Sequence, residues 1–194
     1  MGLAVGERMI VTEVVGEAAI ASRVAELGSE ISADYADRTP VLVGVLSGSL
    51  MFHADLIRAV SIHCEVDFLA ITRFGEGGRV RIAMDTATNL QGRDVLIVED
   101  IVDTGLTLQV FRRMLEARDC TSVSTVALLD KASRRIADVP IEYRGFEVED
   151  EFLLGYGLDW DGRFRNLRSL WAVLDLAAFS ADPSVLSEAV RAGV

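Results

Sequence analysis

Three short runs, VLVGVL (41–46), DVLIV (94–98) and STVALLD (124–130), are apolar almost without interruption, and each ends at a corner of small or charged residues. Strands that are apolar on both sides must be covered on both sides, which a parallel sheet between helical layers achieves. The segments around them carry the helical period. Ile20, Val24, Leu27, Ile31 and Tyr35 fall four, three, four and four residues apart and predict a helix over 16–35. Phe52, Leu56 and Val60 continue after the Ser47-Gly48-Ser49 turn, and Val110, Phe111, Met114 and Leu115 follow the second run. CEVDFLAI (64–71) reads as a further strand, and TRFGEGGRV as a mobile loop or a hairpin with its tip near Gly77-Gly78. Strand-like pieces recur at 141–146, 151–157 and 170–176, and DPSVLSEAV, from Asp182, has the composition of a short capped helix. No internal repeat is present. The expectation is one α/β domain over residues 1–194, with residues 177–194 as a C-terminal extension. Ligands of such folds bind beyond the carboxyl ends of the strands. The candidate corners are therefore 46–49, 99–107 and 130–135.

Composition narrows the partners. A net charge of −11 argues against a nucleic-acid surface, which needs clustered Lys and Arg. Any phosphate site must be local. Of the 19 basic residues 18 are Arg, so the single lysine, Lys131, stands where a compact point charge differs from a planar fork. Cys64 and Cys120 lack metal-type spacing and read as small apolar side chains. No apolar run approaches the roughly 20 residues of a membrane span, and the first residues lack the basic start and longer apolar stretch of a signal peptide, so the expected location is the cytoplasm.

The most informative stretch is VLIVEDIVDTGLTL (95–108). Residues Asp103 to Thr107 lead into a helix, whose first amides and positive dipole end converge on one spot. Thr104 and Thr107 add hydroxyl donors, and Gly105 lets an anion approach the backbone. Taken alone, Asp103 or Thr104 would read as an ordinary helix N-cap. The adjacent Glu99-Asp100 lifts the corner above that reading, because carboxylates at the end of a buried strand are costly unless they bind something. They repel phosphate but accept hydrogen bonds from hydroxyls and can hold Mg²⁺ through water. A phosphorylated sugar satisfies both halves, with phosphate on the glycine turn and vicinal hydroxyls on the acids.

This stretch resembles the phosphoribosyl pyrophosphate motif of the type I phosphoribosyltransferases. VLVGVLSGSLMFHADL, CEVDF, LLDKASRR and FLLGYGLDWDGRFRNL are similar to the hypoxanthine-guanine branch of that family, and the likeness extends over residues 10–175. It implies a central, mostly parallel sheet flanked by helices, with a small hood formed by the N- and C-terminal segments. It also implies purine salvage: transfer of a phosphoribosyl group to a 6-oxopurine, giving IMP or GMP, with Mg²⁺ and in a homodimer or homotetramer. Carried over by position, Glu99 and Asp100 grip the ribose hydroxyls, while Asp103, Thr104, Gly105, Leu106 and Thr107 hold the 5′-phosphate. Leu46, Ser47 and Gly48 match a pyrophosphate-binding turn that often contains a non-proline cis peptide. Arg165 matches an arginine that contacts pyrophosphate, and Asp159 the Mg²⁺ ligand. Phe152 matches the aromatic that stacks on the base, the Leu153 backbone reads the base edge, and Lys131 donates to the 6-oxo group. Arg135 matches the arginine of the same segment. Asp103 is the expected general base.

Each position also has a plain structural reading. Phe152 fits a core aromatic, Arg165 a surface arginine and Asp159 a turn cap; His53 and His63 read as structural, and Trp160 as packing beside the metal site. In the flexible loop the family's Ser-Tyr pair is replaced by Arg73-Phe74, and Ser47 stands where several relatives carry a basic residue, which makes Arg73 a substitute for it. Two alternatives stay open: the same transfer to a non-standard base, or a catalytically silent nucleotide-binding regulator.

Overall fold

The computed structural model describes residues 2–5, 8–74 and 79–192. Six strands form the larger sheet: β3 (Val41–Leu46), β4 (Glu65–Phe74), β5 (Arg79–Met84), β6 (Asp94–Val102), β7 (Ser122–Asp130) and β8 (Tyr143–Glu147), in the order β5-β4-β3-β6-β7-β8. All pairings are parallel except β4 with β5. The three apolar runs are β3, β6 and β7, adjacent interior strands with a neighbour on each side, as their two-sided apolarity requires. Alternation sends successive residues to opposite faces. Val41, Val43 and Val45 pack with Val95, Ile97 and Ala127 against Leu108, Phe111 and Leu115 of α3 (Leu106–Glu116). Full burial of each such side chain stabilises the fold by about 1.5–3 kcal/mol. On the other register, Gly44 leaves room for the ring of His53 in α2 (Leu50–Ala59). Helix α1 (Glu17–Asp34) meets α2 where Gly28 faces Ala59, and all five of its predicted apolar positions are buried. Arg73 and Phe74 end β4 in register with Val80 and Arg79 of β5, so the hairpin reading holds for the backbone. Its expected tip at Gly77-Gly78 lies outside the described residues.

The chain divides into two compact units, one of residues 23–149 and a smaller one built from both chain ends, up to Ser22 and from Asp150 onward. In the smaller unit β1 (Gly2–Val5), β2 (Arg8–Val15), β9 (Phe152–Leu154) and β10 (Leu170–Val173) form an antiparallel sheet ordered β1-β2-β10-β9. Ile10, Val11, Leu154, Trp171 and Val173 pack with Phe179 of α4 (Leu176–Ala181) and with Val185, Leu186 and Ala189 of α5 (Ser184–Ala192). The strand expected over 170–176 stops at Val173 because Asp175 caps α4, accepting from the Ala178 amide at 3.0 Å.

His53 is 1% exposed and lies edge-on to Phe68, with ring centroids 5.2 Å apart. Neither ring nitrogen has a hydrogen-bond partner among the described residues. Burial pushes its pKa down from 6.5 to about 4. The unfolded imidazole takes a proton before the folded one does, so this group's contribution to stability is complete above 6.5 and is lost as pH falls toward 4. In His53→Leu, thermal melts followed by circular dichroism at about pH 7.5 and about pH 5 should show a smaller acid-side loss than the wild type. An equal loss in both proteins contradicts this.

Candidate functional site

Strands β3 and β6 are neighbours, yet the chain leaves them in opposite directions, from β3 to β4 on one side and from β6 to β7 on the other. Where connections diverge in this way a crevice opens beyond the strand ends. The two corners at that point are residues 46–49 and 99–107.

In the first corner the Leu46–Ser47 peptide is cis. Ser47 is exposed, whereas Ser49 is buried and donates from Oγ to the Val45 carbonyl at 2.7 Å. Ser49 is the N-cap of α2 but makes no capping hydrogen bond with its side chain. A Cβ on Gly48 would overlap the Asp100 carboxylate, so glycine is required for the turn to close against the second corner.

In the second corner Glu99 is 6% exposed, and Asp100 is half-buried and accepts from the Ile101 amide at 2.9 Å. Burial, and then the neighbouring Asp100 charge, push the Glu99 carboxyl well above the usual range. Asp103 is exposed, Thr104 and Thr107 are half-buried, and Leu106 is exposed. The N-cap of α3 is neither Asp103 nor Thr104 but Gly105, at φ 80°, and it supplies no capping side chain. A Cβ there would also come within 2.8 Å of Arg135 Cδ. The first turn of α3 is thus left to a ligand or solvent by its own N-cap, the arrangement that receives anions.

The third corner is fixed to the second. The Lys131 amide donates to the Val102 carbonyl at 2.9 Å, and the Ile136 and Ala137 amides donate to the Thr104 carbonyl at 2.9 and 3.0 Å. Lys131 is 8% exposed. Before it, the fully buried Asp130 carboxylate is held by Arg135 and by Arg144 Nε, the latter at 2.8 Å. Two guanidinium groups around one carboxylate are the pairing that makes a buried charge tolerable. Arg134, at the end of the 3-10 turn Ala132–Arg134, reaches back to Asp103, Nε to Oδ1 at 2.6 Å. Sequence reasoning passed over Arg134. Its signal was only the doubled arginine after the lone lysine, and the partner appears once the turn folds back.

The remaining predicted residues belong to the smaller unit. Phe152 is 40% exposed, and its ring meets the edge of Trp160 at 5.3 Å, while Trp160 in turn meets Phe179 at 5.4 Å. Trp160 therefore packs between two aromatics. Leu153 is buried in β9. Asp159 Oδ1 pairs with Arg165 Nη2 at 2.7 Å, Oδ2 accepts from the Gly162 amide at 2.7 Å, and Arg165 Nη1 donates to the Gly157 carbonyl at 2.6 Å. Tyr156, Asp161 and Phe164 all have positive φ, a sparsely populated conformation for side chains of this size that the surrounding bonds must hold. Among the described residues no cluster of three or more His, Cys, Asp or Glu could enclose a metal ion. Single carboxylates suit Mg²⁺ instead, which keeps several waters and completes its shell with substrate phosphates.

Comparison with known proteins agrees with this architecture. The phosphoribosyl transferase domain family matches residues 11–161. The hypoxanthine-guanine phosphoribosyltransferase of Bacillus subtilis is 43% identical over 157 residues, covering 79% of this chain and 87% of the relative. The hypoxanthine phosphoribosyltransferase of Escherichia coli is 45% identical over 166 residues, covering 82% and 93%. Among solved structures, a hypoxanthine-guanine phosphoribosyltransferase of Bacillus anthracis superposes with a TM-score of 0.81 at 34% identity, covering 85% of this chain and 99% of that one.

The raised Glu99 carboxyl carries a stability prediction. A group whose folded pKa lies above its unfolded value of 4.5 contributes stability that is complete below 4.5 and is lost as pH rises through the folded value. Wild type therefore bears, at neutral pH, the cost of either burying a charge or taking up a proton to avoid it. Glu99→Gln should melt higher than wild type at neutral pH, with the gap closing toward about pH 4. A gap independent of pH, or a lower melting temperature at neutral pH, contradicts this.

Proposed function

The chain belongs to the phosphoribosyl transferase family, and on that premise we propose that it is a purine-salvage enzyme. It transfers the 5-phosphoribosyl group of phosphoribosyl pyrophosphate to N9 of hypoxanthine or guanine, giving IMP or GMP and pyrophosphate. The observation that carries this reading is the corner at 99–107, where the buried Glu99 and the half-buried Asp100 stand beside a helix start capped only by Gly105. The acids accept from the ribose hydroxyls, and Asp103, Thr104, Gly105, Leu106 and Thr107 receive the 5′-phosphate. Leu46, Ser47 and Gly48 receive pyrophosphate, together with Arg165. Lys131 donates to the 6-oxo oxygen of the base, Phe152 stacks on its ring, and the Leu153 backbone reads its edge. Arg73 and Phe74 take part in closing the site.

In the reaction the N9 lone pair forms the new bond to C1′, and the bond from C1′ to the pyrophosphate oxygen breaks with its electrons on the leaving group. Asp103 takes the proton released from N7. Bonding at N9 leaves the base positively charged until its N7 proton departs, and the sugar passes through an oxocarbenium-like state, so a nearby carboxylate favours both changes. Arg165 and the amides of the 46–48 turn would each stabilise the charge gathering on pyrophosphate. Mg²⁺, held by Asp159 and by substrate oxygens, would supply the neutralising charge that an acidic protein lacks. The described residues include no helix long and apolar enough to cross a membrane. The proposed setting is the cytoplasm, as a homodimer or homotetramer that binds no nucleic acid.

Nucleotide formation followed by mass spectrometry tests the reading, with phosphoribosyl pyrophosphate, Mg²⁺ and each of hypoxanthine, guanine, xanthine and adenine. Hypoxanthine or guanine should be converted and adenine should not. Asp103→Asn should lose about 100-fold or more in rate, the usual range for a removed acid-base group. Lys131→Met should raise the KM for the 6-oxopurine. Conversion of adenine alone, or of no base, contradicts the assignment.

A further inference from the structure

Asp103 and Arg134 sit on different corners, and the backbone brings them together. Three backbone hydrogen bonds, Lys131 to Val102 and both Ile136 and Ala137 to Thr104, fix residues 131–137 onto residues 102–104. The Arg134 amide closes the 3-10 turn by donating to the Lys131 carbonyl at 2.9 Å. Arg134 then enters its contact with Asp103 from a turn that is already placed. This differs from a chance meeting of two long surface side chains. Both side chains are nearly half exposed, at 42% and 48%, and exposed ion pairs add little to stability. Stability is therefore a poor account of this pair.

The geometry of the contact suggests another. Arg134 engages Oδ1 through Nε, at 2.6 Å. A contact on Oδ1 restrains the rotation of the carboxylate about its Cβ–Cγ bond. Asp103 is also the first residue of the loop assigned to the 5′-phosphate, where an uncompensated carboxylate would be repelled and turned aside.

We propose that Arg134 is a positioning residue for the general base, holding Oδ1 of Asp103 so that Oδ2 accepts the N7 proton as N9 bonds to C1′ and the pyrophosphate oxygen departs. This rests on the function proposed above. The lone lysine and its following arginines are then one device. Lys131 fixes the 6-oxo side of the base, and Arg134 fixes the carboxylate that deprotonates it.

The test is a double-mutant cycle of Asp103→Asn and Arg134→Gln, with Arg134→Lys as the conservative variant. The readouts are the single-turnover rate of nucleotide formation from hypoxanthine and the half-saturating concentrations of both substrates, since single turnover separates the chemical step from product release. Arg134→Gln should slow the chemical step by about 10- to 100-fold, since misplacing a reacting group by about 1 Å can cost about 100-fold. Half-saturation should change by less than about twofold, the mark of an interaction that matters mainly in the transition state. Arg134→Lys should recover part of the rate, because it keeps the charge and loses the fork. In the Asp103→Asn background, Arg134→Gln should cost nothing further.

A wild-type rate in Arg134→Gln overturns the proposal. So does a loss confined to phosphoribosyl pyrophosphate half-saturation, which would make Arg134 a phosphate contact. So does a loss that adds in full to that of Asp103→Asn, or an Asp103→Asn enzyme with an undiminished rate. If the wild-type protein converts no base, the proposed function itself fails and this proposal with it. Failure of the proposal alone leaves wild-type turnover intact.

Discussion

The Asp100 carboxylate occupies the space in which any residue larger than glycine at position 48 would carry its Cβ. That single close approach joins the corners of two adjacent parallel strands, and the rest of the larger unit serves it. The sheet brings β3 and β6 together where the connections to the next strands diverge, α2 follows the turn at 46–49, and α3 begins after Gly105. The buried Glu99 beside Asp100 is unfavourable for the folded chain alone. Such a position is what a site for a sugar bearing vicinal hydroxyls requires.

Charge is distributed with the same economy. A chain of net charge −11 has no general attraction for a ligand with several phosphates. Attraction is left to local devices, namely helix starts whose N-caps make no side-chain hydrogen bond and the single lysine, Lys131. Arginine is used instead to hold carboxylates. Arg135 and Arg144 hold Asp130, Arg165 holds Asp159, and Arg134 holds Asp103. In each case an arginine restrains the direction of a carboxylate.

Much of the fold was legible because burial leaves a periodic trace. Ile20, Val24, Leu27, Ile31 and Tyr35 gave α1 within a residue or two, and the unbroken apolar runs gave the central strands, since a parallel strand is covered on both faces. The strands near the N-terminus, β1 and β2, were not legible. Their cross-strand partners include β10, more than 150 residues away in sequence, and short strands packed on one face leave a weak pattern. The antiparallel pairing of β9 and β10 was hidden for the same reason. Within the candidate site, spacing and chemistry singled out Glu99, Asp100, Gly105 and Lys131, because each is an unusual residue for its place. Neither the contact of Gly48 with Asp100 nor that of Arg134 with Asp103 could be read, since α2, β4, β5 and most of β6 separate the first pair and α3 and β7 the second.

A crystal structure of the protein with bound IMP tests the central claim most directly, namely that the corner at 99–107 holds a phosphorylated ribose. The account predicts the 5′-phosphate on the amides of residues 104–107, the ribose hydroxyls on Glu99 and Asp100, and the 6-oxo oxygen within hydrogen-bond reach of Lys131 Nζ. A nucleotide bound elsewhere, or one whose phosphate avoids the Gly105 turn, would contradict it.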